Sequence, residues 1–179
     1  MDETRFERWI KASISTAKFD PHMMRTIQGL GQLDVELIDK DQVYLSEFRN
    51  RNEFDDSDFA LSQQITVSYL WVLGAYEAIR TMGQRIREKE DLVSEDMRKS
   101  FVNVRGTFNR LRVPLAKMEA ARSHKDTDSR IAYPALNLNE GIAWQVSEDT
   151  FITRKELSDQ FLCLLEGHRV EQISRSNET

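Results

Sequence analysis

Between Ile65 and Ile79 the chain is apolar on almost every side: Ile65, Val67, Tyr69, Leu70, Trp71, Val72, Leu73, Ala75, Tyr76, Ala78 and Ile79 occupy eleven of fifteen positions. A helix with no polar face in its middle is surrounded by other helices. The stretch therefore predicts the central helix of a bundle, running from about Phe59 to Glu88. It is not a membrane span, because the longest apolar run, around Val67 to Ala75, is broken by Ser68 and falls well short of the roughly 20 residues needed. Gly74 costs about 1 kcal/mol relative to Ala inside a helix, so it is expected where a second helix comes close.

The partner for that helix is legible further on. Ser94 caps a helix with Glu95 and Asp96 in its first turn. Met97, Phe101, Val104, Phe108, Leu111, Leu115 and Met118 then recur at alternating steps of four and three, a heptad-type seam suited to helix packing. Pro114 removes one backbone hydrogen bond inside it. Because the seam continues past it, a kink is expected and not a stop.

The remaining elements are set by local signals. A first helix is expected from an Asp2 cap to about Lys18, with Phe6, Trp9, Ile10, Ile14 and Ala17 on one stripe. Asp20-Pro21 reads as the start of a second helix. Residues 33–48 admit two readings: Leu33, Leu37, Tyr44 and Phe48 fit a helical face, while Leu33, Val35 and Leu37 alternate like a strand of a hairpin. Helix is the expectation, because the flanks are helical. A polar link with Asp55, Asp56, Ser57 and Asp58 joins it to the central helix. After a polar loop, Ala121 to Arg130, the period changes: 131–138 and 141–146 flank Asn139-Glu140-Gly141 and read as a β-hairpin. Pro134 confines its strand to an edge. A final helix starts at Thr153, with Glu156 completing a capping box and Leu157, Phe161, Leu164 and Leu165 facing inward.

Only 7 Gly and 3 Pro among 179 residues agree with long helices. The expectation is one mainly α domain over 1–173, a helical bundle with a small C-terminal β-hairpin at about 131–146 and then a final helix, with 174–179 as a frayed tail. One cysteine, Cys163, excludes an internal disulfide and suits a reducing compartment. The N-terminal stretch, with alternating acidic and basic residues, has no apolar signal core. Together these point to a cytoplasmic protein without a membrane role.

Chemistry is sparse. His22, His124 and His168 lie in separate segments without the Glu-x-x-His pairs of di-iron bundles or the clustered ligands of a zinc site, so surface or capping roles are expected and neither metal nor cofactor. Cys163, between Leu162 and Leu164, reads as a buried small hydrophobe, since a catalytic thiol needs an electropositive, partly exposed setting. There is no nucleophile elbow and no phosphate-binding Gly-rich loop, and Gly29-Leu30-Gly31 is too short a signal for a dinucleotide site.

Two features carry a direction. Glu77 and Arg80 can pair on one helix face within the most apolar part of the chain, either as an internal ion pair that fixes register or as a buried acid–base group. The stretch from Arg98 to Arg130 holds nine basic and three acidic residues, a local +6 in a chain of formal charge -5. Arg98, Arg105 and Arg112 recur every seven residues beside the apolar seam, and Lys117 and Arg122 lie further along the same basic stretch. Such a stripe either contacts phosphates or pairs with acidic residues such as Asp34, Glu36, Asp39 and Asp41 of the same chain or a partner.

The long helices and the Tyr-x-x-x-x-Gly-x-Tyr-Glu-x-x-Arg run from Tyr69 to Arg80 resemble HEPN-type helical proteins over the stretch from Asp58 to Arg122. Active members of that family are RNases with an Arg and a His separated by four to six intervening residues. The corresponding positions here are Ala17, Thr16 and Ser15 before His22, Glu119, Met118 and Lys117 before His124, and Cys163, Leu162 and Phe161 before His168. None is Arg, so the resemblance implies a HEPN-like fold without the nuclease motif.

The expected role is a non-catalytic binding or regulatory module acting through protein contacts, with a partner protein or a homodimer. The alternatives are a nucleic-acid-binding accessory protein using residues 98–130, and a nonstandard hydrolase or nuclease around Glu77 and Arg80.

Overall fold

The computed structural model describes residues 3–50 and 59–177. The chain is a mainly α bundle with a small antiparallel sheet inserted before the last helix. Helices α1 (Arg5–Ile14), α2 (Met23–Asn50), α3 (Phe59–Glu88), α4 (Glu95–Lys117) and α5 (Arg154–Asn177) carry strands β1 (Tyr133–Asn137), β2 (Gly141–Ser147) and β3 (Thr150–Thr153) between the fourth and the fifth. Each helix packs on the next in sequence, and α5 packs back on α1, which closes a ring.

Helix α1 begins later than expected. Thr4, not Asp2, is the cap: its hydroxyl accepts from the Glu7 amide and the Glu7 carboxylate accepts from the Thr4 amide at 2.8 Å, a full capping box. Asp2 itself lies outside the described residues. The α-helix gives way to a single 3-10 turn at Ser15–Lys18. Ser13, Ser15 and Thr16 each donate to the carbonyl three residues back, which tightens the backbone there. Of the expected stripe only Trp9 is fully buried, while Phe6 and Ile14 face outward. The helix lies between α2 and α5, so Trp9, Ala12 and Ser13 form its inner edge.

Residues 33–48 are helical, within one 28-residue helix that runs through both glycines. It starts at Met23 and not at Pro21, because Asp20 instead folds back to accept from the His22 amide at 2.8 Å. Its buried face is Met23, Ile27, Gly31, Asp34, Leu37, Asp41 and Tyr44, spaced by three and four. Gly31 is needed there: a Cβ would lie 2.5 Å from Trp9 Cβ and Cγ, so α1 crosses α2 at the glycine. The acidic link at 51–58 lies outside the described residues.

Helix α3 has the expected bounds but is not enclosed on all sides. Trp71, Val72, Ala75, Ala78, Ile79, Met82 and Ile86 are buried, while Leu70 is 55% exposed. Its outer face, with Leu70 and Glu77, is exposed among the described residues. Gly74 admits a side chain of α2 and not its backbone, with Leu30 Cδ2 at 3.3 Å from a built Cβ. The α4 seam is present, with Phe101, Phe108, Leu111 and Pro114 buried. The helix continues through Pro114 to Lys117. Met118 drops out of the seam: it is the left-handed cap at φ 55 and is 72% exposed.

The expected hairpin is a three-stranded meander, β1-β2-β3. Pro134 lies on the edge strand β1, opposite Trp144. Asn137 accepts from the amides of Asn139 and Glu140, and Gly141 takes φ +87, the conformation that favours glycine. The third strand escapes a reading of patterns because it has four residues, comes after a bulge between Gln145 and Ser147, and runs directly into the cap of α5. Only half of the α5 capping box forms. Thr153 Oγ1 accepts from the Glu156 amide at 2.9 Å, but the Glu156 carboxylate accepts from Gln160. The helix runs on through Asn177 past the expected fraying point, with Arg175 donating to the Asp91 carbonyl.

The centre is a chain of aromatic contacts. Phe161 meets Trp9 and Phe108 edge to face at centroid distances of 5.5 and 6.1 Å, and Phe108 lies against Trp71. Residues from α1, α3, α4 and α5 thus share one core.

Candidate functional site

The most concentrated charge lies inside the protein. Asp34 and Asp41, seven residues apart on α2, both face the core, and Arg154 at the start of α5 reaches between them. Arg154 donates through Nη1 to Asp34 at 2.6 Å and through Nη2 to Asp41 at 3.4 Å, while its Nε is buried without a partner. Its guanidinium lies 5.7 Å from the Trp71 ring centroid. Asp34 also accepts from Trp9 Nε1 at 3.0 Å and Arg5 Nε at 2.6 Å. Arg5 continues outward to Ser158 and Asp159. Burial pushes the Asp41 carboxyl above its ordinary range, offset in part by Gln64, Arg154 and the Ile142 backbone amide. A Cβ on Gly141 would lie 2.4 Å from the Asp41 carboxylate, so this glycine lets β2 close over the pair.

Asp34, Asp41 and Arg154 are all buried, so the cluster has the chemistry of a lock: it joins α1, α2, α5 and the sheet. The sequence carried a signal for it. Asp34 and Asp41 occupy the stripe Ile27, Gly31, Asp34, Leu37, Asp41, where apolar residues are expected. Reading 33–37 as a possible strand sets Asp34 opposite Leu37 and hides that stripe.

The basic series is dispersed. Arg98 donates to the Ile86 carbonyl at 3.1 Å and lies 3.5 Å from Glu95. Arg105 borders a hollow of about 140 Å³ with Gly83, Arg87 and Arg98. Arg112 sits over the Tyr76 ring at 5.0 Å and 3.9 Å from Glu77. Arg110, which the heptad does not single out, makes a two-pronged pair with buried Asp128 at 2.8 and 2.9 Å. Burial pushes the Asp128 carboxyl upward, but the bonds from Arg110 and Thr127 outweigh it and hold the group below its usual range. The expected pairing of this helix with Asp34 and Asp41 does not occur, since those carboxylates belong to Arg5 and Arg154. Lys117 and Arg122 lie apart from the others, at the C-terminal end of α4.

Glu77 and Arg80 pair at 2.6 Å, but on the open face of α3 with both side chains about half exposed. They are neither a buried register pair nor a desolvated acid–base group. Residues facing inward at that height are the apolar ones on either side.

Two expectations reverse. Cys163 is exposed, because Phe161, Leu162, Leu164 and Leu165 take the inner face of α5 and leave position 163 outside. His168 is fully buried between Phe19 and Phe101, with neither ring nitrogen hydrogen-bonded. Burial lowers its pKa to about 4, against the opposing pull of Glu171 and the Ser15 backbone.

Cys163 opens onto an apolar depression, a groove of about 570 Å³ between α4 and α5. Met97, Val104, Leu164 and Gly167 line it together with polar Ser100, Asn103 and Thr107. Asp159 is its charged side chain, and it is engaged by Lys155 and Arg5, whose hydrogen bonds hold its carboxyl low against the effect of burial. Among the described residues no cluster of three or more His, Cys, Asp or Glu is placed to hold a metal. None of the described helices is long and apolar enough to cross a membrane. Comparison with protein-family models, with curated proteins and with solved structures finds no match to this chain.

Proposed function

We propose that this chain is a non-catalytic binding module that acts through protein contacts, and that the α4/α5 groove receives an amphipathic helix of a partner protein. The observation that carries the reading is the character of that groove: an apolar trough between two long helices, with small Gly167 among its lining and its one carboxylate already paired. Apolar stripes at spacings of three, four and seven lie in troughs of this kind. The one carboxylate in the groove with Cys163, Asp159, is held by Lys155 and Arg5 and is a poor base for the thiol. The likeness to HEPN-type proteins belongs to the same proposal, and the missing Arg–His motif argues for binding over RNA cleavage.

The test uses a displayed library of helical peptides, selected on the protein and counter-selected on a Val104→Arg variant. Selected peptides should share an apolar stripe and shield Cys163, the chain's one thiol, from a maleimide. Binders that hold the variant equally well and leave Cys163 reactive would sink the groove as the docking face. A homodimer is checked in parallel by sedimentation, where a dimer disrupted by Val104→Arg would place a second copy in the groove and not a partner helix.

A further inference from the structure

At the far end of α4 the chain builds a second concavity, of about 750 Å³, with a different chemistry. Lys117, Arg122, Lys125 and Arg130 all line it, and among the described residues none of the four makes an ion pair or a side-chain hydrogen bond. Two carboxylates also line it. Asp128 is already consumed by Arg110, and Glu119 is left as the one local counter-charge. Asp126, in the same loop, is exposed and does not line the concavity.

The loop that carries three of the cations is fixed in place. The Asp128–Arg110 pair ties it to α4, the Ser129 amide donates to the Val146 carbonyl of β2 at 2.7 Å, and the His124 amide donates to Ala121 at 2.8 Å. Buried Ala121 anchors its start. Met118, the one non-glycine residue of the described chain with positive φ, turns the backbone out of α4 and itself lines the cavity. Four like charges held in one hollow repel each other, and a concave wall concentrates their field. In a molecule of formal charge -5, that field is local, which suits a compact anion better than a long polyanion laid across the surface.

We infer that this concavity binds a small anion carrying adjacent phosphate groups, either inorganic polyphosphate or the phosphate tail of a nucleotide. Its size falls in the range of small-molecule sites. Lysine and arginine donors on several sides match phosphate oxygens, Asn109 adds a neutral amide, and Met118 offers an apolar contact beside them. The inference is independent of the groove, which lies between α4 and α5.

Inorganic tripolyphosphate is the probe, titrated calorimetrically at about 50 mM salt. Saturable one-to-one binding is expected, weakening steeply as salt rises and screens the charges. Combining Lys117→Gln with Lys125→Gln should weaken it roughly tenfold or more, since charge-assisted bonds of this type are lost, with the melting temperature unchanged because both side chains are exposed. Arg98→Gln with Arg105→Gln should leave it unaltered. A nucleoside triphosphate binding more tightly than tripolyphosphate would assign the site to nucleotides, and equal affinity would assign it to the phosphates alone. No binding of tripolyphosphate, binding indifferent to the Lys117 and Lys125 changes, or binding confined to single-stranded oligonucleotides would overturn the inference.

Discussion

Arg154 donates to Asp34 at 2.6 Å with neither side chain reaching solvent. The pair joins the first residue of α5 to the middle of α2, 120 positions away in sequence. A buried pair of this kind contributes little net energy compared with a well-packed apolar replacement, because taking both charges out of water offsets most of their attraction. Removing Arg154 is a different matter: Asp34 keeps Arg5 and Trp9, but Asp41 is left buried without a cation, held by Gln64 and the Ile142 amide.

Arg154→Met is therefore expected to destabilise the fold by about 3–5 kcal/mol, read as a lower urea midpoint. Adding Asp41→Leu should recover part of that loss, because it removes the carboxylate left without a cation, while Asp34 stays to hold Arg5 and Trp9. If the double variant is no more stable than Arg154→Met, the unpaired Asp41 is not the source of the loss.

The two glycines of α2 should respond in opposite directions to the same change. Nothing lies within 4 Å of a Cβ built at Gly29, whereas at Gly31 it would strike Trp9 at 2.5 Å. Gly29→Ala should gain roughly 0.5–1 kcal/mol from helix propensity. Gly31→Ala should lose about 1–3 kcal/mol by forcing α1 away from α2. Thermal melts of the two variants, with Trp9 fluorescence as a local reporter, decide this, and equal shifts would contradict the crossing at Gly31.

Acid should act on His168. Its folded-state pKa is lowered to about 4 from an ordinary 6.5, so between those values the unfolded chain holds a proton that the folded chain refuses. The stability linked to this ring is whole above about pH 6.5 and is lost progressively as the pH falls toward 4, about 3 kcal/mol in all. Below 4 both states are protonated and this group causes no further loss. His168→Phe keeps the contact with Phe19 and Phe101 and removes two unpartnered nitrogens, so it should flatten the dependence across that window. Urea midpoints at pH 7.5 and 5 for both proteins measure it, and an unchanged slope would mean that another group is responsible.

Phe108 sits at the middle of the aromatic chain, touching Trp71 and Phe161. Phe108→Ala should cost about 3–5 kcal/mol through lost burial and the cavity left behind. Calorimetry reads the loss directly. A wild-type melting temperature would show that the seam of α4 is not a principal contact of the core.

Helix boundaries and the apolar seams were open to reading because they depend on near neighbours. Ser94 caps the helix that begins at Glu95, and Phe101, Phe108 and Leu111 repeat at a helical period whatever they pack against. The polar interior was not open in that way. Asp34 is an ordinary surface residue until Arg154 and Trp9 arrive beside it, and their meeting depends on a chain path that no local period encodes. His168 and Cys163 exchanged their expected settings for a related reason. They are five positions apart on α5, and that helix has neighbours on several sides, so its polar and apolar residues do not sort into two simple faces. The basic series illustrates the same limit: a seven-residue spacing fixes an edge of α4 but says nothing of which cations find partners. Lys117 and Arg122 were legible as candidates, whereas Lys125 and Arg130 join them only through a loop pinned by Arg110.

The closure of α5 onto α1 also governs the order in which the chain can assemble during synthesis. Trp9 leaves the ribosome long before Phe161, and Asp34 and Asp41 emerge more than a hundred residues ahead of Arg154. Until α5 appears, Asp34 has only the half-buried Arg5 of α1 and Asp41 has no cation to enter the core with, so Asp41 stays hydrated and holds its turn of α2 away from its final seat. Premature collapse around an incomplete core is thereby disfavoured, and folding is deferred to the moment when the final helix supplies the missing charge.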